Sequence, residues 1–87
     1  MKTTIKGIIA ALDNPENNTE FLKWGDGYYR RAKLREFFAL LRRQKITYVE
    51  IEHVGTGVTA WWDIGGKRGH ATFFGLTHLA QELKVDS

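Results

Sequence analysis

Apolar positions along this chain follow two different periods. Between Tyr28 and Lys45 they recur at helical spacing, with Leu34, Phe37, Phe38 and Leu41 on one side of a 3.6-residue helix. After Ile46 the period changes to two. Ile46–His53 alternates, with Val49 and Ile51 on one face and Glu50 and Glu52 on the other. Val58–Ile64 alternates again, placing Val58, Ala60, Trp62 and Ile64 opposite Thr59, Trp61 and Asp63. The β-branched content supports strands in both segments. His70–Phe74 makes a third short strand. The glycine turns Gly55-Thr56-Gly57 and 65–69 are short, which makes neighbouring strands antiparallel.

Flanking these segments, Ile5, Ile8, Ile9 and Leu12 predict a helix over residues 3–12, followed by the breaker run 13–18. Thr19 reads as the cap of a short helical turn, TEFLKW. Asp26 reads as the cap of the basic helix, which runs to about Gln44. Leu76, Leu79, Ala80 and Leu83 predict a closing helix over Leu76–Lys84. The expected fold is one two-layer α+β domain spanning 1–87: N-terminal helices, a three-stranded antiparallel meander and a C-terminal helix. The α-β-β-β-α order of residues 28–84 resembles that of double-stranded RNA-binding domains. Those domains carry a lysine-rich motif at the start of the last helix, where it grips phosphates. Here that position reads Gly75-Leu76-Thr77-His78-Leu79-Ala80, with no lysine until Lys84.

Eighty-seven residues with 43% hydrophobic content support a small core, and a chain this size has little room for a deep catalytic cleft as well. The absence of cysteine excludes disulfides, thiolate metal sites and cysteine nucleophiles. The short N-terminal apolar run, flanked by Lys6 and Asp13, spans no bilayer and reads as no signal peptide, so a soluble, cytoplasmic protein without a membrane partner is expected.

The net charge of +3 is unevenly placed. Residues 1–45 carry ten Lys/Arg against five acids, whereas residues 46–87 carry three against five. Arg31, Arg35 and Arg42 line up along the basic helix at spacings of four and seven, with Tyr28 beside them. Guanidinium groups match phosphate with paired hydrogen bonds, so this ridge points to a polyanion. The alternative is a solvated helix face. Lys67 and Arg68 offer a second cationic contact. Trp61, opposite the core-facing Trp62, can stack a base or anchor a protein.

Glu50, Glu52 and Asp63 share the face of Trp61. They could gather Mg²⁺ for phosphodiester hydrolysis, or simply form a polar outer face. His53, His70 and His78 match no zinc spacing. The 65–69 loop lacks the Ser/Thr and the following helix of a phosphate loop. No metal or cofactor is expected. The sequence therefore points to a small non-catalytic binding protein, a nucleic-acid-binding accessory protein using its basic helix. The alternative is an inhibitor or adaptor that docks onto a larger protein, of a size that fits a phage or mobile-element product.

Overall fold

The structure, a computed structural model, describes residues 2–17, 19–25 and 27–75. Its elements run β1 (Lys2–Thr4), α1 (Ile5–Leu12), a 3-10 turn (Pro15–Asn17), β2 (Phe21–Trp24), β3 (Gly27–Arg30), α2 (Arg31–Arg43), β4 (Tyr48–Val54), β5 (Gly57–Ile64) and β6 (Lys67–Phe73). All strand pairs are antiparallel. One sheet has the order β1-β4-β5-β6, and β2 and β3 form a separate hairpin.

This corrects the expected architecture. The domain is α+β but mostly sheet: two helices and six strands in two sheets, in place of N-terminal helices followed by a three-stranded meander and a closing helix. The three meander strands form close to where alternation puts them. The expected closing helix at Leu76–Lys84 lies outside the described residues.

Three strands were hidden from the pattern. Lys2–Thr4 has too few residues to show a period, and it forms by pairing with β4, Lys2 opposite Glu50 and Thr4 opposite Tyr48. Thr4 then caps α1, its side chain accepting from Gly7 N–H at 3.1 Å. Phe21–Trp24 and Gly27–Arg30, which read as a helical turn and the start of the basic helix, pair as a hairpin. Four residues per strand give no usable alternation, and the aromatic residues suit a strand as well as a helix. Tyr28 therefore sits on β3, and α2 begins only at Arg31.

The core joins one stripe of each helix to the inner sheet face. Ile5, Ile9 and Leu12 of α1 and Leu34, Phe38 and Leu41 of α2 meet Val49, Ile51, Val58 and Ala60. The β2–β3 hairpin closes one end. Tyr29 is fully buried against Phe73, and Trp24 packs edge-on against His53 and Tyr29. The turn between β5 and β6 is tight because Gly65 and Gly66 take φ of 58° and 79°, the two positive values a type I′ turn requires.

α2 ends in a Schellman motif. Lys45 N–H donates to Arg42 C=O at 2.9 Å, and Ile46 N–H donates to Leu41 C=O at 3.2 Å. Lys45 occupies the left-handed position of this motif at φ 66°, where a Cβ is unfavourable. Lys45→Gly is expected to raise stability by about 0.5–1 kcal/mol, read as a higher midpoint in urea with an unchanged slope.

Candidate functional site: the outer face of the sheet

Cross-strand pairing assigns the outer face. Lys2, Glu50, Trp61 and His70 form one row across all four strands of the main sheet. Asp63 and Arg68 pair in a neighbouring row, on the side where Tyr48 stands opposite Thr4. Glu52, Thr59 and Thr72 form the row on the other side, with the two threonine hydroxyls 2.8 Å apart. Both helices pack on the inner face; of these residues only Thr59 is buried, Thr4 and Trp61 are half-buried, and the rest are exposed.

Cations and rings on this face are layered. The Trp61 ring lies 4.6 Å from that of His70, centroid to centroid, at 31°. The Arg68 guanidinium sits 5.1 Å from the Trp61 centroid, and the Lys2 ammonium sits 5.9 Å from that of Tyr48. Such contacts hold the cations on the rings and leave their remaining donors facing solvent. Tyr48 is 58% exposed. Between Tyr48 and Trp61 the surface dips into a cleft of about 160 Å³, which Lys2, Glu50, Asp63 and Arg68 also line.

Trp62 points the other way, as alternation requires. It packs against the core, and its indole lies over Gly69, where an added Cβ would collide with it. Lys67 pairs with Ile64 and has the phase of the inner face, so of the two loop cations only Arg68 joins Trp61.

The arginine ridge is in a different layer and is largely occupied. Arg31 donates from Nε to Thr19 C=O at 2.6 Å, from Nη1 to Leu12 C=O at 2.8 Å and from Nη2 to the Thr19 hydroxyl at 2.9 Å. It ties the chain ahead of β2 to the end of α1. Arg35 donates to both Asp13 carboxylate oxygens, at 2.6 and 2.9 Å. Arg42 is exposed and has no partner among the described residues. Tyr28, on β3, lies beneath the Lys23 ammonium, 6.0 Å from its ring centroid. None of these four residues meets Trp61.

The Arg35 hydrogen bond holds the Asp13 carboxyl below the ordinary carboxylate value, and the guanidinium charge adds to the effect. A lowered folded pKa stabilises above the unfolded value, about 3.8, and that stabilisation is lost as pH falls through the folded value. The thermal midpoint of the parent should therefore fall more steeply below about pH 4 than that of Asp13→Asn.

A second cavity, about 660 Å³, is a groove between α1 and β2 with Ile8, Leu12, Leu22 and Trp24 among its walls. Of its polar lining residues, Arg31 already has its donors engaged, while Glu16 and Lys23 also stand at its edge. Among the described residues no group of three or more His, Asp or Glu is placed to hold a metal ion, and the acids Glu50, Glu52 and Asp63 stand in three separate rows. None of the described helices is long and apolar enough to cross a membrane.

The chain matches no family model, no curated protein and no solved structure.

Of the residues gathered on this face, sequence reasoning singled out Trp61 and Arg68 as binding candidates, and not Lys2, Tyr48 or His70. His70 was within reach. A two-residue Gly65-Gly66 turn pairs Ile64 with Lys67, and counting back puts Trp61 beside His70. Lys2 and Tyr48 had no such signal, because their meeting depends on β1.

Proposed function

We propose that this protein is a non-catalytic, cytoplasmic binding domain for single-stranded nucleic acid, and that it uses the outer sheet face rather than the basic helix. The observation that carries this reading is Trp61, layered with Arg68 and His70 on the outer sheet face, where most residues are exposed. Unstacked bases present flat π-faces, and aromatic side chains on an open sheet stack them whatever the base. Lys2 and Arg68, held on the rings, can meet the phosphates beside a stacked base. A flat platform suits single strands better than duplex, whose bases are already stacked and turned inward.

The test is anisotropy of labelled ten-nucleotide single strands and of the matching duplex across a salt series. Single strands should bind more tightly than duplex, with log K falling against log salt at a slope of about −0.7 per phosphate contact. Equal or tighter duplex binding, or no binding at low salt, contradicts the proposal.

A second reading, docking onto a larger protein, has one observation behind it. Phe74 is 77% exposed and Val54 is 54% exposed. Both flank Gly57 at the far end of the sheet from Tyr48. Recovery of a single protein that persists after nuclease treatment and is lost in Phe74→Ser would favour this second reading.

A further inference from the structure

We infer that the cleft between Tyr48 and Trp61 is a slot for one base, and that Glu50 makes it prefer guanine. The inference rests on the single-strand reading above. The pairing of Glu50 with Trp61 makes Tyr48 the diagonal neighbour of Trp61 across β4 and β5. Diagonal neighbours on one sheet face stand about 7–8 Å apart. Two ring contacts at about 3.5 Å each need about 7 Å, which matches that diagonal spacing. His70 stacks on Trp61 without lining the cleft, and the lining aromatics of this face are Tyr48 and Trp61.

The carboxylates of the cleft are free to read that base. Glu50 stands directly across from Lys2, and Asp63 directly across from Arg68. Each cation lies over an aromatic ring instead, and among the described residues neither carboxylate takes part in an ion pair or hydrogen bond. Glu50 is in the same row as Trp61, next to the edge of any base stacked on that ring. An ionised carboxylate only accepts hydrogen bonds, and its two oxygens suit two parallel donors. Among the bases only guanine presents two adjacent donors, N1–H and the N2 amino group, on its pairing edge. Adenine and cytosine place a ring-nitrogen acceptor beside their amino group, and uracil or thymine flanks its one N–H with carbonyls. Those acceptors would face the carboxylate and be repelled by it.

The experiment uses nine-nucleotide strands U4-X-U4, with X as G, A, C or U, and the deoxyribose set beside them. They are titrated by anisotropy against the parent and Glu50→Gln. The X = G strand is expected to bind about tenfold tighter than the other three, in both sugar series. In Glu50→Gln, whose amide offers one donor and one acceptor, that preference should shrink to less than about threefold. Binding of the X = U strand should stay within about threefold of the parent. Glu50 is exposed on a paired strand, so the substitution is compatible with folding, and circular dichroism checks this. Equal binding of all four strands, or a guanine preference that survives Glu50→Gln, overturns the slot and leaves single-strand binding standing. Binding of none of the strands overturns the slot together with the reading it rests on.

Discussion

Trp61→Ala should weaken binding to single-stranded nucleic acid by about 2 kcal/mol, roughly thirtyfold, through the loss of one stacked base. Its effect on folding should be below about 1 kcal/mol, because the ring stacks on His70 and Arg68 at the surface and fills no core position. Trp62→Ala should do the reverse. Its indole covers Gly69 and packs against the core, so about 2–3 kcal/mol of stability should go, less than for a fully buried Trp because Trp62 is only half-buried. Affinity measured on the folded fraction should be close to that of the parent. Urea unfolding and anisotropy on the two variants separate these effects. If Trp61→Ala binds like the parent, the platform has no role in binding.

Arg31→Met should cost about 2 kcal/mol of stability, whereas Arg42→Met should cost less than about 0.5 kcal/mol. The methionine keeps the apolar stem of Arg31 but removes all three of its donated hydrogen bonds. The carbonyls of Leu12 and Thr19 then lose their guanidinium partner. Arg42 has no such partners among the described residues. Matched urea curves for the two variants check this. Equal small losses would mean that the Arg31 contacts contribute nothing.

These two predictions mark what the sequence could and could not tell. β4 and β5 were legible because seven or eight residues of alternation specify both a strand and its faces, whereas β6 was read only over 70–74, with 67–69 assigned to the turn. The same count sends Trp61 outward and Trp62 inward. β2 and β3 were not legible. Four residues each carry no period, and Tyr28 falls in phase with the arginine ridge of the helix that follows. The ridge of Arg31, Arg35 and Arg42 reads as three equivalent cations on a helical wheel. What distinguishes them is Leu12, Thr19 and Asp13, which lie twelve to twenty-two residues away in sequence. No local pattern encodes that. The cleft depends on a similar long-range event, the pairing of Lys2–Thr4 with β4, which brings Lys2 to Tyr48.

The central claim is that the ligand meets the sheet face and not the basic helix. Backbone amide shifts, followed by NMR while a single-stranded U4-G-U4 oligonucleotide is titrated in, test this most directly. The expected result is that Tyr48, Glu50, Trp61, Arg68 and His70 move together and saturate at one concentration, while Arg35, Ala39 and Arg42 on α2 stay still. Saturating shifts along α2 with a silent outer sheet face would contradict the account.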